Sequence, residues 1–140
     1  MGHLTAARIF ANIRMVLPKT ELVLYRDRRG GVPLLAWLEL LPGRAKAKCR
    51  VRIERLAELG HELRRPEADY LRGGIHELRV QHMGVNLRML YFFHGPAVAV
   101  LCQGFTKRQG AVPSQEIVIA LRMKAAFESD PRTHTHEAGA

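Results

Sequence analysis

Four cations in the second half of the chain stand out by spacing: Arg79, Arg88, Lys107 and Arg108. In residues 75–82, Leu78 and Val80 alternate with Glu77, Arg79 and Gln81, the period-two pattern of a half-buried strand. Residues 85–94 alternate in the same way. Leu87, Met89, Tyr91 and Phe93 share one face, and Asn86, Arg88, Leu90 and Phe92 share the other. Residues 97–106 read as a third strand, ending at Lys107-Arg108. The connectors Met83-Gly84 and Gly95-Pro96 are short enough for hairpins, so the three strands are expected to be antiparallel neighbours. Arg79 and Arg88 then lie on adjacent strands, close to the Lys107-Arg108 pair, with Glu77 the one nearby acid. Such a cluster is costly unless it is hydrated or meets an anion, so anion binding is the chemistry this pattern offers.

The elements that must position these groups begin with a short β-rich stretch at 21–27, broken by Arg28-Arg29-Gly30-Gly31. Residues 32–41 carry Leu34, Leu35, Leu38 and Leu41 at helical spacing, with Trp37 between them as an expected helix-to-sheet anchor. Pro42-Gly43 interrupts this helix. A longer one is expected over 44–63, with the apolar stripe Ala45, Cys49, Ile53, Leu56, Leu59 and Leu63. On its other face Arg44, Lys48, Arg52 and Arg55 follow at i, i+4, i+8 and i+11, only partly balanced by Glu54, Glu58 and Glu62. They form a basic stripe able to lie along phosphates, or else a solvated face with no partner. Arg65-Pro66 ends the helical region. After the three strands, Ser114 suits a helix N-cap and Glu116 the positive end of a helix over 115–128, with Ile117, Leu121 and Ala125 as its buried stripe. The order strand, helix, helix, meander, helix predicts an α+β domain, an antiparallel sheet with helices segregated from it.

With 140 residues, 47% hydrophobic and 25% charged, the chain is long enough for one domain with one core. The expected organisation is an N-terminal extension over 1–20, with Met15 as an alternative start, a folded domain over 21–128, and a disordered tail over 129–140. A net charge of +9 excludes an acidic or wholly disordered chain and points to a polyanionic partner. No apolar run is long enough to span a membrane. Cys49 and Cys102 cannot build a disulfide framework or a four-thiolate zinc site, so both are expected in the core of an intracellular, reduced protein. His82, His94, His134 and His136 lack convergent cysteine or carboxylate neighbours, so exposed loop histidines, no metal and no cofactor are expected.

Four segments together resemble a known family: LRGGIHELR at 71–79, LRMLYFF at 87–93, GFTKR at 104–108 and PSQEI at 113–117. They are similar to the L-x-G-G-L-Y-E-L-R, R-x-L-Y-F-F, H-G-F-x-K-K and T-P-x-x-E-I pieces of the phage-derived HigB-like branch of the RelE/ParE toxin superfamily. The resemblance spans about residues 21–128. It implies a RelE-like fold, with two N-terminal helices on one sheet face and a C-terminal helix. It also implies a type II toxin that cuts mRNA, typically on the translating ribosome, without metal, paired with a helix-turn-helix antitoxin in the cytoplasm. In that chemistry a ribose 2′-hydroxyl attacks the adjacent phosphate in line. Arginine forks suit it because they stay charged and match phosphate oxygens bidentately. Carried onto this chain, Arg88 and Arg108 would hold the scissile phosphate, Arg79 would orient the neighbouring backbone, and Lys107 would transfer a proton. The chain has His76 where the family pattern has tyrosine, Gln103 where it has histidine and Arg108 where it has its second lysine. No tyrosine follows Tyr91, and Tyr91 falls on the core face, so base stacking would come from Phe105, Phe92 or His76. The competing functions are a gyrase-poisoning toxin of the ParE kind and a non-catalytic nucleic-acid-binding prophage remnant.

Overall fold

The computed structural model describes residues 20–137, in the order β1 (Glu21–Tyr25), α1 (Pro33–Glu39), α2 (Gly43–Leu59), a 3-10 turn (Gly60–Glu62), β2 (Ala68–Arg72), β3 (Ile75–His82), β4 (Val85–His94), β5 (Val98–Lys107), α3 (Ser114–Ser129) and β6 (Thr135–Glu137). The expected N-terminal extension lies outside the described residues apart from Thr20. The architecture is mixed α+β, one six-stranded sheet ordered β2-β3-β4-β5-β1-β6 with three helices.

Alternation within β3 and β4 gives the sheet two apolar faces, and helices cover both. On one face Leu78, Val80, Leu87, Met89 and Tyr91 pack with Leu34 of α1 and with Ala45, Cys49 and Leu56 of α2. On the other, Ile75, Leu90, Phe92, Val100 and Cys102 pack with Ile117, Ala120 and Phe127 of α3. Both cysteines are buried, and burial pushes the Cys49 thiol up to about 11. Pro33 starts α1 at a position whose N–H needs no partner. Trp37 of α1 lies so close to β5 that a Cβ on Gly104 would fall 2.1 Å from its ring, so only glycine lets the helix seat there. The β3–β4 turn is Met83-Gly84, with φ of +49° and +79°, the left-handed pair that a tight hairpin needs and that glycine takes at no cost.

Several expectations are corrected. The sheet is not wholly antiparallel: β1 pairs with β5 in parallel, Glu21 opposite Val98, because the chain returns from the two helices in β2 opposite to β1 and then reverses three times through β3 and β4 to β5. β2 was not expected as a strand. It pairs antiparallel with β3, but only Ala68 of its five residues is buried, so it carries no apolar period. The disordered tail expected over 129–140 instead continues as a turn and then β6, antiparallel to β1, through Glu137; residues 138–140 lie outside the described range. His134, expected to be exposed, is 1% exposed, with Nδ1 2.7 Å from the Arg26 carbonyl oxygen and its ring stacked on Tyr25. Ser114 is the first helical residue of α3 rather than its cap, and its Oγ accepts from Arg72 Nη2 at 3.2 Å. The buried stripe of α3 is Ile117, Ala120 and Phe127 rather than Ile117, Leu121 and Ala125. Successive steps of four residues drift about 40° each around a helix, so mixed steps of three and four keep one face inward.

Candidate functional site

Register places Arg79 and Arg88 directly opposite each other on β3 and β4. On its other side Arg88 faces Phe105 of β5. The next row on that face, toward the β3–β4 turn, is Gln81, Asn86 and Lys107. A cleft of about 280 Å³ opens here, lined by Arg79, Gln81, Asn86 and Arg88 of the sheet together with Arg52 and Pro66.

Like charges opposed across two strands repel. The counterweight is Glu77, two residues before Arg79 on the same face. Its Oε1 lies 3.0 Å from Arg88 Nε, and the two side chains are only 6% and 4% exposed. Arg88 Nη1 also donates to the Leu87 carbonyl at 3.1 Å. Burial pushes the Arg88 guanidinium below its ordinary value, and the Glu77 charge opposes that shift. Arg88 is therefore a charge set into the floor of the cleft, while the half-buried Arg79 stands above it. At the neighbouring end of α3, Gln103 Nε2 donates to the Glu116 carbonyl at 3.0 Å, which ties that helix to β5 beside the site.

The other candidate residues separate into those at the cleft and those elsewhere. Lys107 is half-buried in the row next to Arg88, and Arg108 is exposed just past β5, outside the cleft lining. Phe105, expected as a stacking ring, is 9% exposed and packs under α3. Phe92 is wholly buried in the same cluster. His76 lies on the opposite face of β3 from Arg79, where it stacks on the buried Tyr91, and so does not reach this cleft.

Three of the four cations of the α2 stripe are engaged by β3 carbonyls or Glu67 rather than laid out as a free cationic surface. Arg55 grips Glu67 bidentately, Nε and Nη2 at 2.9 and 3.0 Å, and this pairing holds the Glu67 carboxyl below the usual carboxylate range. Arg52 donates to the Arg79 carbonyl and has Nε 3.7 Å from Glu67. Lys48 Nζ donates to the Gln81 carbonyl at 3.3 Å. Arg44 at the start of α2 is exposed. The stripe thus fastens α2 to the rim of β3, and Arg52 becomes a wall of the cleft. Sequence reasoning placed Arg52 on a separate surface. No local signal marks its reach to β3, because the contact joins residues 27 apart in sequence. Glu77 carried a readable signal, since it shares the period-two face with Arg79.

Among the described residues, no three His, Cys, Asp or Glu side chains converge as metal ligands, and no helix is long and apolar enough to cross a membrane. What the cleft can do is grip an anion between Arg79, Arg88 and Arg52, with Lys107, Asn86 and Gln81 beside it. Compared with curated proteins, the chain has no match. A family model described as Phage derived protein Gp49-like (DUF891), a RelE/toxin-like family, matches residues 36–125, from α1 through most of α3. That match covers well over half of the chain and contains every residue of the cleft, and the chain belongs to the phage-derived Gp49-like family.

Proposed function

We propose that this protein is the toxin of a type II toxin–antitoxin pair of the HigB-like kind, with a RelE-like arrangement, and that it cuts mRNA on the translating ribosome without a metal. The observation that carries the reading is the directly opposed pair Arg79 and Arg88 lining one cleft with Arg52, three cations that Glu77 and Glu67 offset only in part, so the cleft favours an anionic ligand. A ribose 2′-hydroxyl gives its proton to solvent water and attacks the adjacent phosphorus in line. The 5′-oxygen of the next nucleotide leaves, and a cyclic phosphate remains. Arg79 and Arg88 stabilise the charge that develops on the phosphorane, and Arg88 acts from a position already fixed by Glu77. Lys107, in the adjoining row, gives a proton to the leaving oxygen, and Arg108 at the strand end holds the outgoing backbone. An antitoxin with an acidic segment would cover the same cleft, so its binding would weaken with salt.

Single-turnover cleavage of a ribosome-bound message tests this reading. Arg79→Ala, with the fold intact by circular dichroism, should lower the cleavage rate by ~10²–10³. Expression without an antitoxin should arrest growth with cut transcripts and working gyrase. Arrest with intact transcripts, or an unchanged rate in the Arg79 variant, overturns it.

A further inference from the structure

A second hollow, of about 430 Å³, lies on the α2 side of the sheet. The segment 64–69, a turn leading into β2, borders both cavities. Pro66 lines the cleft, while Arg64, Arg65 and Asp69 line the hollow, together with His61, Tyr70 and His76. Three of its eight lining residues, His61, Tyr70 and His76, carry rings. His76 stacks on Tyr91 with ring centroids 5.1 Å apart and meets Tyr70 edge-on at 5.0 Å, and His61 stacks on Phe93 at 3.6 Å. Tyr70 is 55% exposed, yet its hydroxyl accepts the Gly74 N–H at 3.1 Å, so a solvent-facing ring is pinned at its tip and its edge. A ring held in this way loses little conformational freedom when something stacks on it. Burial, and secondly the charge of His61, push the His76 imidazole below its ordinary value, so at neutral pH it offers an aromatic face rather than a cation. Arg65 and Asp69 neutralise each other at 2.7 Å, and the exposed Arg64 stands at the rim.

We propose that this hollow is a subsite for one unpaired nucleobase of a single-stranded RNA whose backbone lies in the cleft, the base stacking on Tyr70 against the two imidazoles and Arg64 meeting the phosphate that crosses the turn. Pro66 in the cleft and Arg64 and Arg65 in the hollow put the two cavities on either side of one short segment, and this, with an exposed aromatic beside a rim cation, favours RNA over a purely apolar ligand. The inference rests on the RNA reading above, and the test keeps the two apart.

The measurement is fluorescence anisotropy of a labelled single-stranded RNA, and of the same backbone without bases, bound to the full chain and to Tyr70→Leu, Tyr70→Phe and Arg79→Ala. Stacking of one base on an aromatic ring is typically worth a ~5- to 150-fold change in affinity. Tyr70→Leu should weaken RNA binding within that range and leave the base-free strand unaffected, and Tyr70→Phe, which keeps the ring, should stay within about threefold of the parent. Equal weakening for both strands, or no weakening with Tyr70→Leu, overturns the subsite. If Arg79→Ala weakens binding and Tyr70→Leu does not, the subsite alone falls. If the parent binds neither strand, the RNA reading falls with it. If Tyr70→Leu impairs binding of the antitoxin but not of RNA, the hollow is a protein interface and the proposal is overturned.

Discussion

Replacing Glu77 by glutamine isolates the charge under the cleft. Glu77 and Arg88 are 6% and 4% exposed and 3.0 Å apart, so neither is screened by water, and Arg88 already faces the like charge of Arg79 across the strands. Two unit charges about 4 Å apart interact by about 4 kcal/mol at an effective dielectric near 20. Losing one partner of such a buried pair typically costs ~3–5 kcal/mol, because the remaining charge is left without compensation. For a domain of this size each kcal/mol shifts the melting midpoint by about 4 °C, so Glu77→Gln should melt ~12–20 °C lower. Replacing both residues, Glu77→Gln with Arg88→Met, removes the stranded charge and should recover most of that loss. Urea unfolding followed by circular dichroism on the parent, the two single variants and the double variant gives the coupling energy directly. A cost below about 1 kcal/mol for Glu77→Gln, or a double variant that loses as much as the two single variants combined, would refute the reasoning and release Arg88 from its anchored role.

Gly104→Ala would put a Cβ 2.1 Å from the Trp37 ring; it should cost ~1–3 kcal/mol and shift the emission of that single tryptophan, and unchanged fluorescence would count against the packing. The folded state holds His76 below its ordinary value of 6.5, so the unfolded chain takes up a proton first as the pH falls. The contribution of His76 to stability is therefore complete above that value and is lost below it, and His76→Phe should flatten the dependence of melting temperature on pH between 5 and 7. Arg55→Ala removes the partner that holds the Glu67 carboxyl low, so the stability Glu67 contributes above its ordinary value of 4.5, lost as the pH falls through its folded value, should shrink in acid titrations. His134→Ala, which deletes a buried ring bonded to the Arg26 carbonyl, should cost ~1–3 kcal/mol by urea unfolding; no change would mean that β6 does not hold the β1 edge.

The three-strand meander was legible because β3 over residues 77–81 and β4 over residues 86–89 alternate apolar and polar residues, and that alternation puts Glu77, Arg79 and Arg88 on one face in sequence and structure alike. Phe105 and Gly104 were not legible in the same way. Both faces of β5 are apolar, and a register shift between Met89 and Tyr91 turns its last residues over, so Gly104 meets Trp37 and Phe105 sinks under α3. β2 and β6 escape the pattern because their residues are held by backbone pairing at sheet edges rather than by an apolar period. The fate of the α2 cations was beyond any local rule. Helical spacing shows that Lys48, Arg52 and Arg55 share a face, but not that a carboxylate and two carbonyls wait opposite them.

Those carbonyls matter for a reason unrelated to phosphate. β2 pairs with β3 only as far as Ala68 opposite Leu78, and the Arg79 N–H still donates to the Glu67 carbonyl at 2.8 Å, so the outer rim of β3 beyond Arg79 has no neighbouring strand. A bare rim of that kind invites another chain to add itself and begin a stack. Arg52 and Lys48 occupy the Arg79 and Gln81 carbonyls, and each brings a positive charge that repels a second copy of this cationic chain. The two side chains are therefore expected to act against self-association. Replacing both with small neutral residues would leave a fold that still closes its core but polymerises through an open rim.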